Sequence, residues 1–243
     1  MSSFARGIRI APDNVRLACQ LRPQVDLTVQ PLLHPSIVAA THAEAGQEFG
    51  EEREVTILFV DIRGSTSLAE ARLPYDVVFS LNSLFAALAE AVETSGGYYS
   101  NFTGDGLMAL FGLDGQRTEG AKAALQCALA MFQSLDSLNE RLAGELEVPI
   151  AIGIGIHTGQ AIVGRMGPPK TPIISAVGDS VNTAARLERM TRELGAPLVV
   201  SEETFRAAGM DMSARMTQVS LRGRAATIPV SALDKASLRG ILI

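Results

Sequence analysis

A chain of 243 residues, 47% of them hydrophobic, is long enough to bury one sizeable core and suggests one domain of ordinary size with an appendage. Its formal net charge of -5, with acids and bases interspersed, provides no broad basic surface, so neither a nucleic-acid partner nor an anionic membrane surface is indicated. Cys19 and Cys127 are too few for a disulfide framework, His34, His42 and His157 lack zinc-ligand spacing, and no apolar run reaches the ~20 residues that span a bilayer.

Residues up to about Gly50 hold several prolines and one short alternating run, Val25, Leu27 and Val29, and read as an appendage (1–35) and a linker (36–53) ahead of a domain over 54–243. Val55 to Val60 is a continuous apolar run ended by Asp61, which predicts a buried central strand. Val77, Val78, Leu81, Leu84, Phe85, Leu88 and Val92 recur at helical spacing up to Gly96-Gly97. Tyr98 to Phe111 reads as a hairpin with Gly104-Asp105-Gly106 at its turn. Ala121 to Leu138 repeats the helical spacing, and Pro149–Ile156 and Ala161–Gly164 read as two further strands. Asp179 to Leu194 is a third helix, Leu198 to Val200 a short strand, and Gln218 to Leu233 a stretch of strand character around Arg222-Gly223-Arg224. Two β–α–β passages joined by a hairpin predict an α+β fold, a ferredoxin-like βαββαβ sheet with helices on one face and a C-terminal extension.

Three places carry chemistry. Asp61, where a strand turns towards a helix, can hold a metal ion, while the amides from Ile62 through Gly64, Ser65 and Thr66 can receive phosphate oxygens; capping by Asp61 or Ser65 is the plainer alternative. Asp105, on the hairpin turn, can join Asp61 if their strands are neighbours, and would otherwise serve only the turn. Two such carboxylates would hold two divalent ions in the arrangement that serves phosphoryl displacement. Asn182 and Arg186 project from one face of the third helix and can orient a ribose and bind a phosphate oxygen; the alternative is a solvated face that also carries Glu188, Arg189 and Arg192.

VTILFVDIRGSTSLAE, NFTGDGLMALFG, GIGIHTGQAIVGRMG and VGDSVNTAARLE, in this order from Val55 onward, resemble the successive blocks of class III adenylate and guanylate cyclases. The resemblance implies a nucleotide cyclase fold and a homodimer with active sites at its interface. One subunit would supply metal-binding aspartates, matched by Asp61 and Asp105, to two Mg²⁺ or Mn²⁺ ions. The partner would supply a ribose-orienting asparagine and a transition-state arginine, matched by Asn182 and Arg186. Arg222 or Arg224 falls where the family has a lysine on the triphosphate. The implied reaction is attack of the 3′-hydroxyl of a nucleoside triphosphate on its own α-phosphate with release of pyrophosphate.

At the base-reading positions this chain has Asn101, where adenylate cyclases of this type have lysine, and Ser175, within their pattern. An amide and a hydroxyl each donate and accept, and the glutamate of guanylate cyclases is absent, so ATP is favoured. The alternatives are a guanylate or mixed-specificity cyclase, or a cyclase-fold regulatory module with little turnover. Residues 14–33 resemble the end of a plant-type [2Fe–2S] ferredoxin with Cys19 as the last ligand, but the cluster needs four cysteines, so no iron–sulfur cluster is expected in this chain as it stands. A cytoplasmic catalytic domain follows, within a longer parent that has room upstream for a sensor, a ferredoxin-like module or a membrane anchor.

Overall fold

In the central strand the side chains alternate between two cores. Leu58, Val60 and Ile62 pack into one, Val55 and Ile57 into the other, and all five are almost completely buried. The computed structural model describes residues 50–64, 74–103, 106–144, 148–167, 172–220 and 227–242. Residues 1–49, and with them the appendage and Cys19, lie outside the described residues, as do Ser65, Thr66, Asp105, Arg222 and Arg224.

The strand is β1 (Glu51–Arg63), longer at both ends than its apolar run, and it leads to α1 (Pro74–Thr94). That helix ends because Gly96 takes φ +73°, and the Gly97 amide then donates to the Val92 carbonyl at 2.9 Å. The hairpin is β2 (Tyr98–Thr103) and β3 (Gly106–Phe111), with Thr103 paired to Gly106. After α2 (Arg117–Arg141), β4 (Ala151–Met166) runs unbroken, where two strands were predicted. The gap between those two runs fell at residues 157–160, where the apolar pattern is interrupted. Instead, Thr158 Oγ1 meets Thr56 Oγ1 at 2.8 Å and His157 Nδ1 meets Ser201 Oγ at 2.8 Å, so the buried polar groups are satisfied within the sheet.

Next come β5 (Ile173–Val177), α3 (Asp179–Glu193), β6 (Leu198–Ser201), α4 (Glu202–Ala207), β7 (Thr217–Ser220), β8 (Thr227–Leu233) and α5 (Lys235–Leu242). The sheet order is β2-β3-β1-β4-β6-β8-β7, with β5 paired to the far end of β4. The βαββαβ core therefore has order β2-β3-β1-β4, antiparallel throughout, as the ferredoxin-like prediction requires.

Helices α1 and α2 share one face, where Leu84, Leu88, Leu125 and Met131 meet Leu58, Ile152 and Ile154. Helix α3 differs from the one-face expectation and lies on the opposite face, where Ala184 joins Val55 and Ile57. Glycines make this packing possible. In β4 the isoleucines 152, 154 and 156 face α1 and α2, and between them Gly153 and Gly155 leave a flat seat for α3. A Cβ on Gly155 would stand 2.5 Å from the Ala184 carbonyl oxygen, and one on Gly159 2.5 Å from Ser180 Oγ.

Candidate active site

Asp61 lies on the α3 side of β1, two residues before the strand ends, and Gly64, with φ +66°, then turns the chain away. Its cross-strand partners are Gly106 on β3 and Gly153 on β4. The carboxylate is thus flanked by residues without side chains, and it is 24% exposed. Strands β1 and β3 are neighbours, and the residue opposite Asp61 directly follows Asp105 in sequence. Adjacency of the two strands was the condition for those aspartates to serve together.

Around Asp61 the charges interleave. Arg192, in the last turn of α3, donates from Nη2 to Asp61 Oδ2 at 3.0 Å. Behind it, Arg63 Nη2 faces Glu188 Oε1 at 3.8 Å, with side chains 20% and 8% exposed. Arg63 Nη1 and Glu188 Oε1 are buried without a hydrogen-bond partner among the described residues. Burial pushes the Glu188 carboxyl above its usual range, with nearby Asp61 adding to the effect and Arg63 opposing it. Burial likewise lowers the Arg63 guanidinium, against the pull of Glu188. The third helix is therefore not a uniformly solvated face: Glu188 is buried, Arg192 is paired to Asp61, and Asn182 and Arg189 are exposed.

Arg186 is half-buried, and its Nη1 is buried without a hydrogen-bond partner among the described residues. At a rise of 1.5 Å per residue, Arg186 lies about 9 Å and Asn182 about 15 Å along the helix axis from Arg192. Within one chain, then, α3 carries Asn182 and Arg186 away from Asp61 rather than onto it. The strands expected to read the base do come together: Ser100 Oγ on β2 donates to the Ile174 carbonyl on β5 at 2.7 Å. Asn101 and Ser175 are the next residues on those strands; the Asn101 side chain lies outside the described residues, and Ser175 is half-buried opposite Gly164. Ile62 is buried in the α1–α2 core, so only its backbone can face a ligand, whereas Gly64 is exposed.

Among the described residues no group of three His, Cys, Asp or Glu side chains stands together as a metal cage. Magnesium does not need one, since it is held by one or two carboxylates with water and substrate phosphates. A partly exposed carboxylate between two glycines, already neutralised by a guanidinium, has the chemistry and the room for that role.

The family model for the adenylate and guanylate cyclase catalytic domain matches residues 48–230. The chain belongs to this family. Its cyclase domain is 37% identical over 158 residues to an adenylate cyclase of Anabaena cylindrica, covering 63% of this chain and 30% of that protein. It is 32% identical over 157 residues to the terminal-differentiation-specific adenylate cyclase of Dictyostelium discoideum, covering 65% of this chain and 7% of that protein. The chain thus spans about a third or less of the length of these relatives. Among solved structures, the cyclase fold superposes on the guanylyl cyclase Cya2 with TM-score 0.67 at 32% identity, covering 75% of this chain and 92% of that one. It superposes on the adenylyl cyclase CyaB from P. aeruginosa with TM-score 0.64 at 25% identity, covering 74% and 93%. Among the described residues of the cyclase domain, no helix is long and apolar enough to cross a membrane.

The residues that reading the sequence left out of the site are Arg63, Glu188 and Arg192. Arg63 could have been found by strand alternation, since it shares a face with Asp61. Arg192 could not, because its contact with Asp61 spans 131 positions.

Proposed function

We propose that this cyclase domain converts ATP to 3′,5′-cyclic AMP and pyrophosphate as a homodimer with composite active sites. The observation that carries the proposal is the separation along α3. Asp61 is held by Arg192 in the last turn of that helix, while Asn182 and Arg186 stand about 15 and 9 Å from Arg192 along its axis, which favours a site that takes the two sets from two copies.

Asp61 and Asp105 would hold two Mg²⁺ or Mn²⁺ ions, which when bound lower the pKa of the 3′-hydroxyl and neutralise charge on the leaving pyrophosphate. The backbone of Ile62 and Gly64, with Ser65 and Thr66, offers amides to the triphosphate, and Arg222 offers a cation. From the partner copy, Asn182 orients the ribose so that its 3′-oxygen lies in line with the α-phosphate. Arg186 brings a guanidinium whose Nη1 has no hydrogen-bond partner among the described residues, suited to the charge that grows on the α-phosphate oxygens. Because nucleophile and electrophile belong to one molecule, positioning accounts for much of the acceleration.

Asn101 and Ser175 would read the base from adjoining strands. Likeness to the Anabaena adenylate cyclase and the absence of a guanine-reading glutamate at these positions support ATP. Likeness to the guanylyl cyclase Cya2 favours a second reading, a guanylate or mixed-specificity enzyme. The test is to incubate the purified chain with Mn²⁺ and ATP or GTP and to measure both cyclic nucleotides. Cyclic AMP in excess of cyclic GMP at matched substrate is expected, and the reverse overturns the choice of base. Product no greater than that of Asp105→Ala overturns catalysis.

A further inference from the structure

Two arginines stand near the Asp61 carboxylate, and their settings differ. Arg63 is wedged between the sheet and α3: a Cβ on Gly153 would stand 2.6 Å from its Cζ, and its charge is matched to buried Glu188. Its side chain is only 20% exposed. Arg192 is 59% exposed, and its Nη2 rests on Asp61 Oδ2. Helix α3 is itself seated on Gly153, Gly155 and Gly159, so the backbone beneath Arg192 is fixed while its side chain faces solvent on several rotatable bonds.

A positive charge therefore already sits on Oδ2 of the carboxylate that a divalent cation would need. The cation and the guanidinium repel each other there, and Arg192, the more exposed of the two arginines, is the freer to yield. Its position in the last turn of α3 favours a cation there through the helix dipole, whichever anion the side chain faces. A guanidinium released from Asp61 remains within a side chain's length of it, and its planar fork matches phosphate oxygens.

We propose that Arg192 exchanges partners during loading: it neutralises Asp61 in the metal-free site, yields that carboxylate to the incoming divalent cation, and then takes the terminal phosphates of the nucleotide. This rests on the reading of Asp61 as a metal ligand. Arg192 is on this account a binding residue for the triphosphate and a brake on premature metal binding, so its removal has opposite effects on the two ligands.

The experiment measures Mn²⁺ binding to the full chain without nucleotide, by electron paramagnetic resonance, in wild type, Arg192→Gln, Arg192→Lys and Asp61→Asn. Binding of α,β-methylene-ATP with Mg²⁺ is measured by calorimetry in parallel. An exposed ion pair of this kind converts to a change of about two- to fivefold, so Arg192→Gln binds Mn²⁺ tighter by that factor. It binds the analogue about threefold or more weakly, a loss appropriate to one charge-assisted contact. Arg192→Lys, which keeps the charge, falls between wild type and Arg192→Gln for both ligands; coincidence with Arg192→Gln counts against exchange. Unchanged or weaker Mn²⁺ binding in Arg192→Gln overturns the proposal, as does unchanged analogue binding. Wild-type Mn²⁺ binding in Asp61→Asn overturns the metal reading beneath it, whereas loss in Asp61→Asn with no change in Arg192→Gln overturns the exchange alone.

Discussion

Gly155→Ala tests whether α3 has to lie flush against the sheet. The added Cβ would overlap the Glu188 backbone nitrogen and stand 2.5 Å from the Ala184 carbonyl oxygen and 2.7 Å from Glu188 Cα, all of them backbone atoms. Relief to an ordinary contact of about 3.5 Å requires α3 to lift by about 1 Å. Overpacking of this kind costs about 1–3 kcal/mol, which lowers the melting temperature of a domain this size by about 2–12 °C. The same shift carries Asn182 and Arg186 with it, and a misplacement of about 1 Å in a positioned catalytic group costs on the order of a hundredfold in kcat. Gly240→Ala in α5 is the control: nothing lies within 4 Å of its Cβ, so it should leave activity unchanged and raise stability by a few tenths of a kcal/mol or more. The assays are calorimetric melting and initial rates of cyclic nucleotide formation at saturating substrate. Wild-type melting and wild-type kcat in Gly155→Ala would refute the idea that glycines set the height of α3.

Thr158→Val should destabilise the domain by about 1–3 kcal/mol in urea titration, because it strips a partner from Thr56 and Thr204 inside the sheet. Thr56→Val combined with Thr158→Val should cost less than the sum of the single changes, since Thr158→Val strands the Thr56 hydroxyl and the double change removes it. In a Cys19→Ser background, Cys127 should react with a thiol reagent at pH 8 only as fast as the domain opens. Burial raises its pKa from 9.0 to about 12, which leaves about a thousandfold fewer thiolates, and rapid labelling of the folded protein would contradict the packing of α2.

Elements whose apolar pattern matches their period were legible in the sequence: β1, α1, the β2–β3 hairpin, α2 and α3 all stand where the pattern put them. The continuity of β4 was not, because the partners that satisfy His157 and Thr158 come from Ser201, Thr204 and Thr56, far away in the chain. Short α4 and α5 carry too few turns for a helical period to show. The face taken by α3 was encoded in the alternation of isoleucine and glycine in residues 152–156, which reads as an ordinary buried strand until a helix is laid on its glycine side. Candidate site residues could be named by type at Asp61, Asn182 and Arg186. The wiring around them was not legible: the Asp61–Arg192 and Arg63–Glu188 pairs join β1 to α3 across more than half the chain, and no local spacing announces them.

The central claim is that residues from two copies complete each site, and mixing inactive variants tests it most directly. Asp61→Ala and Arg186→Ala are each expected to be inactive alone. When purified, mixed in equal amounts and allowed to exchange subunits, half of the dimers are mixed and each keeps one intact site of two, so about a quarter of wild-type cyclase activity should return. A mixture in which heterodimers form, as shown by differently tagged subunits, yet no cyclic nucleotide appears would contradict the shared-site account.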